Sequence, residues 1–237
     1  MAITSGYSTH EKPGLAVQVV DKIWAGIVNA DSAWNPEKSC YQLSAEYRKS
    51  GRTPDESVDH FIAWQTAKAA GSGFLLGLPG LVFGAVTIPA GLTVATYLQL
   101  RTVAVVALLY GWDLPSHRVK TLAQLCLLGG AAAEVVRSAG VRVGSRLTGR
   151  LVAGVSDPVL AQINRRIAAR LSTKAGAGGV VTMTKFLPVV GGLISGGLSA
   201  VSTRQAGRAA KALLSGGPAA HGGAHLAPAL GAPAAPG

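Results

Sequence analysis

Apolar residues recur every four positions near the start of the chain, at Leu15, Val19, Ile23 and Ile27, with Val20 and Trp24 beside them. That spacing predicts an amphipathic helix over 14–30. Asn35-Pro36 breaks the pattern, and a second helix is expected over 37–50, stopped by Gly51. Thr53-Pro54-Asp55-Glu56 then forms a strong start signal. Thr53 can cap, Pro54 suits the first turn, and Glu56 completes a capping box. The helix it opens carries Val58, Phe61, Ile62 and Trp64 straight into a long apolar run.

The 32 residues from Ala69 to Leu100 hold no charge, and Arg101 is the only charge before Asp113. Helices of soluble domains keep one polar face for water, whereas roughly 20 apolar residues suffice to cross the hydrocarbon core of a bilayer. The run therefore implies contact with a membrane or a greasy hairpin deep in the protein's own core. Gly77, Pro79, Gly80, Gly84 and Pro89 interrupt it. Proline inside a helix costs about 3 kcal/mol, so shorter helical pieces are expected, the last of them over 91–109 and closed by Tyr110-Gly111. Ala69–Trp112 reads as an apolar helical hairpin.

Ser116 can cap a helix over 117–139. After Gly140, Arg142, Arg146 and Arg150 fall at helical spacing and predict one basic stripe. Asp157-Pro158 should cap a helix bearing Arg165, Arg166 and Arg170, with a loop at Gly176–Gly179. Val180–Val201 is apolar apart from Lys185 and contains Pro188, Gly191 and Gly192. A last helix over 199–214 places Arg204, Arg208 and Lys211 on one face. The expected organisation is a flexible N-terminus (1–13), one helical domain (14–214) and a disordered Gly/Ala/Pro tail (215–237). The fold class expected is all-α, a multi-helix bundle with a central apolar hairpin.

Charge divides the chain in the same place. Residues 1–60 carry a net −2 and residues 61–237 a net +13, giving the overall +11. A basic half attracts polyanions. Single-strand nucleic-acid binders stack bases on exposed aromatics, but here the aromatics sit in or beside apolar runs. Anionic lipid is thus favoured over nucleic acid, each juxtamembrane Lys or Arg being worth about 1 kcal/mol at an anionic leaflet; a merely solvated basic surface is the bland account. The first 14 residues lack the apolar core of a secretory signal, with Glu11 and Lys12 where it would stand. Cys40 and Cys126 have neither zinc nor CxxC spacing, so reduced thiols in a cytoplasmic setting are expected, a single disulfide remaining open.

Little here supports a reaction. There is no G-x-S-x-G elbow, no lysine-bearing phosphate loop, and after residue 60 only Asp113, Glu134 and Asp157 carry carboxylates. His60 and His117 lack metal-ligand companions, and His221 and His225 lie in the tail. No cofactor or metal is expected. The pairs Gly73/Gly77, Gly80/Gly84, Gly140/Gly144 and Gly192/Gly196 would let helices approach closely, in a bilayer or in a soluble bundle. Arg101 has two readings: a contact to a headgroup or partner, or an internal salt bridge to Asp113 or Glu134.

Short motifs occur in a fixed order along the chain: Gly77-Leu78-Pro79-Gly80, Ile88-Pro89-Ala90, Leu98-Gln99-Leu100-Arg101 and Leu109-Tyr110-Gly111-Trp112-Asp113. Lys185-Phe186-Leu187-Pro188-Val189-Val190-Gly191-Gly192 and Ala206-Gly207-Arg208-Ala209-Ala210 follow. In order and spacing the set resembles the bacterial EcsC family, over about 40–214. The resemblance implies a helical, membrane-associated protein, in a family named from an operon encoding an ABC transporter, without established chemistry. Family members often carry an acidic residue just after the position of Pro89, where this chain has Gly91. The expected function is that of a non-catalytic accessory to a transporter or secretion assembly at an anionic inner leaflet, with self-association open. Alternatives are a membrane-perturbing or pore-forming helical protein and a lipid-directed hydrolase. The lipid contacts expected are Arg101, Arg142, Arg146, Arg150, Arg204, Arg208 and Lys211. Gly77, Pro79, Gly80, Pro89, Gly111, Pro188, Gly191 and Gly192 are expected to shape the helical scaffold.

Overall fold

A computed structural model describes residues 14–30, 38–49, 51–70, 90–176 and 196–218. In chain order it contains α1 (Leu15–Val28), α2 (Cys40–Arg48), α3 (Pro54–Ala70), α4 (Ala90–Leu109), α5 (His117–Leu128), a 3-10 turn (Gly129–Ala131), α6 (Ala132–Ser138), α7 (Gly149–Ala153), α8 (Asp157–Gly176) and α9 (Gly196–Leu214). The fold is an all-helical bundle, and no strand occurs among the described residues.

Local chemistry explains the helix boundaries. At α3 the capping box forms as the residue types dictate: the Thr53 hydroxyl accepts from the Glu56 N–H (3.3 Å), and the Glu56 carboxylate accepts from the Thr53 N–H (2.8 Å). These bonds hold the Glu56 carboxyl below its ordinary range. A second capping box, Ser39 with Gln42, opens α2. Glycines in left-handed conformation close α4 and α6. At Gly111 (φ +82°) the Trp112 N–H reaches back to the Ala107 carbonyl and the Gly111 N–H to Leu108. Gly140 (φ +84°) repeats the arrangement with Val141→Val136 and Gly140→Arg137, the double bond pattern that terminates a helix at a left-handed glycine.

α4 is the central helix. It packs against α9, α2, α1, α5 and α3, and buries Tyr97, Leu100, Val103 to Ala107 and Leu109. A helix surrounded on every side needs no polar face. For this half of the expected hairpin, helical neighbours account for the apolar composition. The other half, with Gly77, Pro79, Gly80 and Pro89, lies outside the described residues, as do Pro188, Gly191, Gly192 and the pairs Gly73/Gly77, Gly80/Gly84 and Gly192/Gly196.

Several boundaries differ from expectation. The helix expected over 117–139 is broken where Gly129 turns to φ +55°, and Ser116 occupies the N-cap position without a side-chain bond. Taken as a whole, His117–Ser138 is long and apolar enough to cross a membrane, yet Val119, Leu122, Leu125, Leu128, Val135 and Val136 along it belong to the core. Residues 141–148 are not helical, because the Gly140 terminator stops α6 before them. Arg142, Arg146 and Arg150 therefore form no helical stripe, and Gly140 and Gly144 form no helix contact. Asp157 is the first residue of α8 rather than its cap, and its carboxylate accepts from Arg118 (2.7 Å). Ser215–Pro218 follows the end of α9, with Gly217 against the Tyr110 carbonyl; the rest of the expected tail lies outside the described residues.

Candidate functional site

α3 and α9 pack side by side and antiparallel. Asp59 meets Lys211 near one end of the pair, and further along Ile62 meets Gly207. A Cβ at Gly207 would stand 2.7 Å from the Ile62 side chain, so glycine sets how closely the two helices approach. The C-terminal end of α3 thereby lies beside the N-terminal end of α9. α4 runs parallel to α9, since Trp112, just after α4, donates to the Leu214 carbonyl at the end of α9 (3.0 Å). Hence the end of α3 at Ala70 and the starts of α4 at Ala90 and of α9 at Gly196 lie on one side of the molecule. The stretches that precede α4 and α9, 71–89 and 177–195, are both largely apolar.

A groove of about 530 Å³ runs between α3 and α9, lined by Asp59, Ile62, Ala63, Thr66, Ala67, Arg204, Arg208 and Lys211. Its three cations are not equivalent. Lys211 is neutralised by Asp59 (2.6 Å), with Asp55 at 3.9 Å. Arg204 and Arg208 make no hydrogen bond or ion pair with any described residue, and both are exposed. At i, i+4 spacing their Cβ atoms are about 6 Å apart on one face, where like charges repel. Val201, on the same stripe, is 47 % exposed. From Phe61 to Ala67, α3 carries no charge, although Ala63 and Ala67 are exposed and Trp64 is 56 % exposed.

The other expected lipid contacts lie elsewhere. Arg101 is buried in α4 at 7 % exposure and donates to the Tyr97 hydroxyl (3.2 Å) and the Lys38 carbonyl (2.6 Å). These bonds hold it internally, and Glu134 accepts from Arg170 on α8. Arg150 binds the Gly216 and Gly217 carbonyls and fastens the segment after α9. Arg142 and Arg146 are exposed on the non-helical connection. Of the residues expected at lipid, only Arg204, Arg208 and Lys211 share a surface, and Lys211 is engaged by carboxylates.

Both thiols are sequestered. Cys40 and Cys126 are free and buried, and burial pushes their thiols up to about 11 and about 12, which keeps them protonated and unreactive. Among the described residues no cluster of His, Cys, Asp or Glu could hold a metal ion. Tyr110 donates to Asp55 (2.6 Å), and burial together with that bond raises its phenol above the ordinary 10. In the unfolded chain the phenol ionises near pH 10, while the folded one stays protonated beyond it. Its contribution to stability is therefore complete below about pH 10 and is lost as pH rises further. Thermal melts should show the gap between wild type and Tyr110→Phe narrowing above pH 10; parallel curves would contradict the assignment.

No protein-family model, curated protein or solved structure matches the chain. The groove's apolar members escaped the sequence reading because Ile62, Ala63 and Ala67 look like the core face of an amphipathic helix. One signal was legible: Val201, Arg204 and Arg208 at i, i+3, i+7, opposite Asp55 and Asp59 at i, i+4.

Proposed function

We propose that this chain is a non-catalytic, membrane-associated accessory protein whose α3–α9 flank lies on an anionic bilayer. The observation that carries the reading is the pairing of α3 with α9. One leads into the apolar stretch 71–89, the other follows the apolar stretch 177–195, and their adjoining ends sit together. The two helices also offer features that a bilayer interface selects. An exposed tryptophan suits the headgroup level, the uncharged surface of α3 from Phe61 to Ala67 suits the acyl boundary, and two arginines with no counter-ion among the described residues suit anionic lipid. The motifs that resemble the EcsC family point the same way, toward service to a transporter or secretion assembly at the inner leaflet.

Co-sedimentation of the full chain with phosphatidylglycerol and phosphatidylcholine vesicles tests this. Binding should favour the anionic vesicles and weaken with salt. Trp64→Ala should lower the affinity several-fold, and lipid-borne bromine should quench the wild-type fluorescence more than that of Trp64→Phe. Absence of binding to anionic vesicles at low salt would overturn the proposal. Release of entrapped dye on binding would instead favour the membrane-perturbing alternative.

A further inference from the structure

We infer that the α3–α9 groove is a built site for the headgroup of one anionic glycerophospholipid, its phosphate held between Arg204 and Arg208. The inference rests on the membrane reading above and specifies what that surface recognises. Three observations carry it.

The first is charge. Lys211 has its carboxylates, whereas Arg204 and Arg208 stand adjacent on α9 with no counter-ion among the described residues. Like charges at this spacing destabilise a helix, and an anion bridging them removes the penalty. Guanidinium groups are planar forks that match phosphate oxygens in pairs. Asp59 is taken up by Lys211 at the other end of the groove, so an anion is directed to the arginine end.

The second is size. At about 530 Å³ the groove falls within the range of about 300–1,000 Å³ typical of ligand clefts, well beyond what a bare phosphate fills. The third is the character of the opposite wall. Ile62, Ala63 and Ala67 make it apolar, and the Thr66 hydroxyl is already committed to the Ile62 carbonyl (2.7 Å). That wall accepts a glycerol backbone and the first carbons of an acyl chain but offers nothing to a free, fully hydrated anion. A diester phosphate beside hydrocarbon is the chemistry that fits both walls.

Calorimetric titration of the full chain with a short-chain phosphatidylglycerol, kept below its micelle concentration, tests the site apart from any bilayer. Saturable binding to a single site is expected. Arg204→Gln/Arg208→Gln should weaken it at least about tenfold, as loss of charge-assisted hydrogen bonds implies. Arg204→Lys/Arg208→Lys keeps the charge, loses the forks, and should also weaken it. Arg165→Gln/Arg166→Gln removes the same charge from α8 and should leave affinity unchanged. Equal weakening by the α8 pair, full retention in the lysine pair, or no saturable binding would overturn the inference. Inorganic phosphate binding as tightly as the lipid would overturn it too, by showing a free-anion site. Vesicle sedimentation of wild type separates the two readings. Vesicle binding without the short-chain site leaves the membrane reading standing and removes the groove, whereas a short-chain site without vesicle binding does the reverse.

Discussion

Trp112→Ala should cost about 3–5 kcal/mol of folding stability, in the range for removing a buried aromatic side chain. Trp112 is 4 % exposed and sits where three elements meet. Its backbone belongs to the glycine terminator of α4, its ring edge is 3.1 Å from the Cβ position of Gly149 at the start of α7, and its indole N–H donates to Leu214 at the end of α9 (3.0 Å). Alanine would leave a cavity bordered by helix ends, whose backbone geometry limits collapse. Trp112→Phe separates the contributions, since it keeps most of the apolar volume and loses the hydrogen bond, so about 1–2 kcal/mol is expected. Urea denaturation monitored by circular dichroism reads both. Against a total of about 5–15 kcal/mol for a domain, that loss is a large share of the folding stability. A loss below about 1 kcal/mol for the alanine variant, the ordinary size of an unremarkable substitution, would show that the three elements are not fastened here.

Arg101→Leu is the second large effect, at about 2–4 kcal/mol, because the Lys38 carbonyl and the Tyr97 hydroxyl both lose a charged donor inside the protein. Lysine should not rescue it, since one ammonium on a flexible stem does not reproduce a fork reaching two acceptors. The effect should appear in urea denaturation and leave the vesicle affinity of the folded fraction unchanged. A headgroup role for Arg101 requires the reverse, weaker vesicle binding at unchanged stability. Cys40 belongs to the same junction, its thiol lying 3.9 Å from the Arg101 carbonyl, so loosening there should also speed alkylation of a thiol that is otherwise buried.

Arg101 shows where sequence reasoning stops. That a cation inside an apolar helix must be partnered follows from solvation alone. Which groups partner it depends on how α2 packs against α4, and an acceptor such as the Lys38 carbonyl has no signature in a sequence. The basic residues teach the same lesson. Arg142, Arg146 and Arg150 were grouped by their spacing, but spacing defines a face only where the backbone is helical, and Gly140 ends the helix before they are reached. Arg204 and Arg208 lie within a real helix, and there the same rule holds. The neutralisation of Lys211 depends on Asp55 and Asp59, which approach because Gly207 lets α3 close on α9.

The residues alone determined the all-helical class, the capping box that opens α3, the glycine that closes α4 and the apolar character of the central helix. Each of these is local chemistry: a hydroxyl beside a free N–H, a backbone able to adopt positive φ, or a periodicity of side chains. Only the tertiary structure decided that α4 is covered by other helices, that Arg101 is held internally, and that a groove lies between α3 and α9 with two arginines that have no counter-ion among the described residues. Those outcomes depend on contacts between residues up to about 150 positions apart, such as Asp59 with Lys211, and the packing that joins distant segments is not written in the periodicity of either one.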